Sequence, residues 1–95
     1  MSGTTTAVHV MVEGRVQGVG YRAWVEREAK ALGLAGWVRN RSEGSVEAVF
    51  CGEAASVRAM VEACGKGPRL AAVKAVKTSI HPRQDWTEFV IWATV

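Results

Sequence analysis

Histidine and cysteine are scarce in this 95-residue sequence, two of each, and no His, Cys or carboxylate cluster stands at ligand spacing, so a metal centre is not expected. His9, alone in an apolar stretch, reads as a structural residue. Two cysteines make no disulfide framework either. Cys51 is expected to end a strand and Cys64 the helix after it, and about 12 helical residues at ~1.5 Å each hold them apart. That distance far exceeds the ~7 Å limit between disulfide-bonded Cα atoms. Both read as reduced, buried thiols that act as small apolar groups. Also missing is any apolar run long enough to span a bilayer, and the start, Met-Ser-Gly-Thr-Thr-Thr, has neither the basic head nor the apolar core of a secretory signal. A cytoplasmic protein with no membrane partner is the expectation. Charge of one sign is in small surplus: the formal net charge is +3 with pI near 9.2, and the basic residues are scattered. Such a chain attracts small anions weakly and disfavours a nucleic-acid partner.

What is present is an ordinary folding composition, 48% hydrophobic and 22% charged, enough for one small core. Residues 1–6 read as a flexible polar tail and residues 7–95 as a single domain, expected to act as a monomer. Val8, Val10 and Val12 alternate on one face of a first strand. Tyr21, Trp24, Val25, Ala29 and Leu32 recur at helical spacing, with Gly33 as the stop. Residues 34–40 and 45–51 read as a hairpin turning at Gly44, with Val46, Ala48 and Phe50 on one face. Val57, Met60, Val61 and Cys64 stripe a second helix over 53–64. Residues 70–80 form a further strand in which Val73 and Val76, three apart, require a bulge. Residues 89–95 give a possible fifth strand. Two right-handed βαβ crossovers then place both helices on one face of a mixed sheet. The fold class is α+β, a ferredoxin-like two-layer sandwich.

Between the first strand and the first helix lies GRVQGVGYR, residues 14–22. A glycine-rich turn there gathers backbone N–H groups into one concavity suited to an anion. Gly14, Gly18 and Gly20 tolerate positive φ and close approach, and Arg22 adds a fork of donors for phosphate or carboxylate oxygens. A Walker-type loop is excluded because Val19 stands at its second glycine and no lysine follows. Gly18, Gly20 and Ala23 do satisfy the dinucleotide pattern, but the hairpin that follows and the short chain leave no room for that fold.

GRVQGVGYR, followed from Gly36 by GWVRNRSEGSVEAVFCG, resembles the two signature stretches of the acylphosphatase family, and the strand and helix order agrees with that family's fold. The resemblance implies a hydrolase without metal or other cofactor that cleaves acyl phosphates, small molecules, to a carboxylate and inorganic phosphate. By position, Arg22 matches the phosphate-binding arginine and Asn40 the water-orienting asparagine. Arg15, Val16, Gln17, Gly18, Val19 and Gly20 match the backbone phosphate cradle. Tyr21 departs from the Phe or Met common before the arginine, and its hydroxyl needs a partner if buried. Arg41 places a bulky charge next to the site and bears on substrate preference. Arg39, Arg41, Glu43 and Lys77 otherwise read as a solvated face.

So few groups suffice chemically. A carboxylate leaving group, with a conjugate acid of pKa near ~4, needs no general acid. Phosphoryl transfer asks for positioning and for donors on the equatorial oxygens. Asn40 offers a donor and an acceptor to hold an attacking water. Other readings of the same fold are a module that binds an acyl phosphate or carboxylate without turnover, or an RNA-binding module. RNA recognition requires stacking aromatics on the two central strands; the first strand has none and the third only Phe50.

Overall fold

The computed structural model describes residues 4–95. Seven elements follow in order: β1 (Thr5–Arg15), α1 (Tyr21–Ala31), β2 (Ala35–Asn40), β3 (Val46–Glu53), α2 (Ala54–Cys64), β4 (Ala72–Ile80) and β5 (Phe89–Ile91). They build one sheet in the order β4-β1-β3-β2-β5. β1 pairs antiparallel with both β3 and β4, β2 antiparallel with β3, and β5 parallel with β2. The expected ferredoxin-like α+β architecture is thus what forms, and the C-terminal segment does add a fifth strand. That strand stops at Ile91, shorter than the sequence pattern suggests.

In-register pairing puts Val8, Val10 and Val12 beside Phe50, Ala48 and Val46, and Val38 beside Ala48. These residues share one core with Tyr21, Val25 and Ala29 of α1 and Val57, Met60 and Cys64 of α2, so both helices cover the same face. Val73 and Val76 reach this core together because Lys74 is an extra residue in β4, opposite the Glu13/Gly14 step of β1. The bulge required by their spacing is therefore real. Gly14 lies at that bulge with φ 126°, packed too tightly against the backbone of residues 72–74 to carry a Cβ. Its role is strand pairing rather than ligand approach.

Gly36 is buried between Phe50 on β3 and Phe89 on β5, its partners in the ladder. Lacking a side chain, it lets those two rings lean together across it, stacked at 5.6 Å. A Cβ there would also run into the Val49 carbonyl.

The N-terminal boundary differs from expectation. Residues 1–3 of the expected tail lie outside the described residues, but Thr5 and Thr6 pair with Glu53 and Gly52, and the Ala54 N–H donates to the Thr4 carbonyl. β3 runs on to Glu53 and offers ladder partners there, and β-branched threonine suits a strand.

Tyr21 opens α1 and is buried, and its hydroxyl donates to the Cys64 carbonyl at the end of α2, 2.7 Å away. This is the partner its hydroxyl needs, and it ties the two helix ends together. Tyr21→Phe should lower unfolding free energy by about 1–2 kcal/mol by stranding a buried carbonyl, measured as a shift in the urea midpoint. Cys51 and Cys64 are both free and buried. Burial pushes the Cys64 thiol up to about 12, which keeps it protonated and unreactive.

Candidate active site

The loop between β1 and α1 begins where β1 leaves the sheet. Val16 turns into the core and is buried, anchoring the loop from beneath. Gly18 and Gly20 follow with φ of 74° and 78°, left-handed values that side-chain-bearing residues rarely adopt. Nothing lies within 4 Å of where a Cβ would stand on either. Gly20 is the N-cap of α1, and no side chain caps the helix or places an acidic group in its first turn. The first helical bond runs from the Trp24 N–H to the Gly20 carbonyl at 3.1 Å, and the N–H groups of residues 17–23 donate no backbone hydrogen bond among the described residues. An uncapped helix start keeps its partial positive charge and its free donors for an anion.

A cavity of about 280 Å³ lies at this point, lined by Val16, Gln17, Gly18, Gly20, Tyr21, Arg22, Ala23, Asn40 and Ile91. At ~30 Å³ per water, it has room for a phosphoryl group and a few waters. Arg22, half-buried on the first turn of α1, forms no ion pair with a carboxylate among the described residues. Asn40 ends β2, with its side chain on the helix-covered face beside Val46. Its Oδ1 is buried without a hydrogen-bond partner among the described residues. An unpaired buried acceptor is costly, and here it borders the cavity that Arg22 also lines.

Of the residues expected to form the site, Arg22, Asn40, Val16, Gln17, Gly18 and Gly20 are brought together. Arg15 and Val19 do not line this cavity. Arg15 ends β1 opposite Ala72, and Val19 packs on the core and borders a separate recess with Pro68, Arg69 and Leu70. Three features escape the sequence. The cavity lining extends past Gly20 to Tyr21 and Ala23 at the uncapped start of α1. Ile91 reaches the cavity only because β5 pairs parallel to β2, opposite Val38. The side chain of Gln17 bonds to the β2–β3 turn, donating to the carbonyls of Arg41 and Ser45, 2.8 Å each.

Arg39 and Arg41 are not a freely solvated face. Both bind Glu47, Arg39 Nε at 2.8 Å and Arg41 Nη1 at 3.0 Å from its Oε1, while His9 Nε2 lies 2.6 Å from its Oε2. Glu47 is 8% exposed on the sheet face away from the helices. Arg39 also lies over Trp37 and Trp92, which stack on each other at 4.3 Å. The reason is register: Arg39 pairs with Glu47 directly across β2 and β3. Arg41 is thereby drawn to Glu47 and does not line the cavity. Lys77, by contrast, is exposed as expected and pairs with Glu13 at 3.2 Å.

Burial raises the Glu47 carboxyl, but hydrogen bonds from His9, Arg39 and Arg41 and the Arg39 charge outweigh it and bring the pKa down from 4.5 to about 2. A carboxyl with a depressed folded pKa adds stability that is present above its unfolded value and lost as pH falls through the folded one. Stability should therefore decline between pH 4.5 and about 2. Urea midpoints across that range should flatten in Glu47→Gln, which should also be less stable at neutral pH.

Among the described residues no group of three or more His, Cys, Asp or Glu side chains could hold a metal ion, and no helix is long and apolar enough to cross a membrane. Comparison with known proteins adds independent findings. The acylphosphatase family model matches residues 8–91. An acylphosphatase of Rhodopseudomonas palustris is 56% identical over 92 residues, covering 90% of this chain and 93% of the relative. The solved structure of an acylphosphatase from Coxiella burnetii matches with a TM-score of 0.90 at 41% identity, covering 93% of each chain. That of an acylphosphatase from Bacillus subtilis matches with a TM-score of 0.88 at 33% identity, covering 94% of this chain and 99% of the other.

Proposed function

Because this chain belongs to the acylphosphatase family, we propose that the cavity at the start of α1 binds the phosphoryl group of its substrate, with Arg22 and Asn40 as the catalytic residues. Its activity is that of an acylphosphatase, a hydrolase acting on small-molecule acyl phosphates. The observation that carries the assignment of residues is the meeting of three unsatisfied features in one cavity: the uncapped helix start, the unpaired Arg22 and the orphan Oδ1 of Asn40.

In this reading the phosphoryl oxygens accept hydrogen bonds from the N–H groups of the loop and of the first turn of α1. Arg22 adds two charge-assisted bonds and neutralises the charge that spreads over the equatorial oxygens in the transition state. A water donates one O–H to Asn40 Oδ1, which points its lone pair at phosphorus. The water oxygen bonds to phosphorus as the bond from phosphorus to the acyl oxygen breaks, and that electron pair leaves on the carboxylate. A leaving group with a conjugate acid near pKa ~4 departs without a proton. The proton of the attacking water passes to a phosphate oxygen, so neither a side-chain base nor a metal is called on. Ala23 and Ile91 give the cavity an apolar wall for the acyl part.

Turnover of a synthetic aromatic acyl phosphate in the presence of a chelator tests this reading. Carboxylate and phosphate should appear in equal amounts, and in ¹⁸O-labelled water the label should enter phosphate and not the carboxylate. Label in the carboxylate would mean attack at carbon. A folded protein that binds phosphate without turnover would be a binding module.

The same reading covers the setting of the enzyme. The proposed working unit is the monomer, in which Arg22, Asn40 and the β1–α1 loop already meet at the cavity. The two unpaired buried thiols suit a reducing compartment, the cytoplasm. On the open sheet face the exposed aromatic Trp92 stacks on Trp37, and Arg39 is engaged by Glu47. That leaves little for nucleic-acid bases to stack on.

A further inference from the structure

We propose that Gln17 is a positioning residue whose side-chain amide sets the spacing between the phosphate cradle and Asn40. The inference rests on the placement of phosphate and water given above. Arg22 and the loop belong to the β1–α1 connection, whereas Asn40 ends β2, and the sheet joins them indirectly, through Val46 of β3, which pairs with Val12 on one side and Asn40 on the other. Gln17 is in the cradle, and its Nε2 donates to the carbonyls of Arg41 and Ser45 at 2.8 Å each. These two carbonyls bracket the turn that begins immediately after Asn40. Each already has a backbone partner: the Gly44 N–H donates to the Arg41 carbonyl at 3.0 Å and the Arg41 N–H to the Ser45 carbonyl at 2.9 Å. Gln17 fills the remaining lone pair of both.

The chemistry selects the residue type. A neutral –NH₂ group carries two hydrogens at a fixed angle, and both are used. A carboxylate of the same shape would face two carbonyl oxygens with no donor. Because neither carbonyl depends on Gln17 for its first hydrogen bond, the contact contributes little that folding needs. Its consequence is geometric: the loop holding phosphorus and the strand end holding the water move as one body. Catalysis is sensitive to such spacing, since a misplacement of ~1 Å can cost ~10² in rate.

The test measures kcat on an aromatic acyl phosphate and competitive inhibition by inorganic phosphate for the wild type, Gln17→Met, Asn40→Ala and the double variant. Gln17→Met keeps the length and loses both donors. It should lower kcat about tenfold, below the full cost of a 1 Å displacement because the turn keeps its own bonds. Phosphate inhibition should stay within about twofold and Tm within about 5 °C. In the Asn40→Ala background the same substitution should change kcat by less than about twofold, because the residue it acts through is gone. An equal loss in both backgrounds would overturn the proposal, as would phosphate affinity falling in step with kcat, which is the mark of a deformed cradle. If Gln17→Met does not fold, Gln17→Asn carries the same comparison, since its shorter amide reaches at most one carbonyl. Asn40→Ala at wild-type rate would remove the role of Asn40 itself, whereas additivity alone removes only that of Gln17.

Discussion

Asn40→Ala is expected to lower kcat by about 10²–10³, the scale of losing one preorganised group that acts in the transition state, while inhibition by inorganic phosphate stays nearly unchanged. The split follows from geometry. Asn40 reaches the cavity from the end of β2, whereas the proposed donors to phosphate come from the β1–α1 loop and the first turn of α1. In the proposed mechanism, removing Asn40 takes away the group that orients the nucleophile and leaves the anion site whole, so the loss falls on kcat rather than on ground-state binding. Stability should be kept or gained, because Oδ1 has no hydrogen-bond partner to lose and its burial is unfavourable in the free protein. A structural turn residue would behave in the opposite way. Wild-type turnover in Asn40→Ala, with an unchanged urea midpoint, would sink its role.

Arg22→Gln should reduce kcat/KM by about 10³ and weaken phosphate inhibition as well. Among the described residues the guanidinium is the only side-chain cation lining the cavity, and no carboxylate shares it. Its charge therefore falls on the phosphoryl group in both the ground state and the transition state, and both kcat and the phosphate inhibition constant should move. Two charge-assisted hydrogen bonds at ~1.5–3 kcal/mol each are enough for a loss of that size. Arg22→Lys should recover part of it, since charge returns but the planar fork does not. Retained phosphate inhibition in Arg22→Gln would place the anion on the backbone amides alone.

The two substitutions are diagnostic together because the proposed mechanism divides the work between two elements. A common structural failure would lower rate, phosphate affinity and stability together. The expected pattern differs: Asn40→Ala moves kcat, and Arg22→Gln moves both kinetic quantities. Tyr21→Phe, which breaks the tie between α1 and α2, moves stability.

Much of this was legible in the residues themselves. The period of the apolar positions gave both helices and the faces of β1 and β3, and the spacing of Val73 and Val76 required the bulge that lets both reach the core. Gly18 and Gly20 between a strand and a helix pointed to the candidate anion loop, and the resemblance of the signature stretches pointed to Arg22 and Asn40, which the fold brings to one cavity. Local pattern misled where the decisive neighbour was distant. Thr5 and Thr6 look like tail residues until β3 supplies their ladder partners. Arg39 and Arg41 look solvated until the β2–β3 register sets Glu47 between them and His9. Gly14 looks like a ligand glycine, but the close approach that excludes its Cβ comes from β4.

The sequence alone determined which residue types sit where along the chain: the alternation that buries one face of each strand, the helix stripe and the left-handed glycines of the loop. These depend on interactions within a few residues, where covalent geometry and side-chain period decide the outcome. Only the tertiary structure brought Asn40 and Ile91 to the cavity and the side chain of Gln17 to the turn after Asn40, and only it placed Glu47 among three cationic or imidazole partners. Those contacts join elements distant in sequence. Strand order and register set them, and both follow from how the whole chain buries its apolar faces rather than from any local stretch.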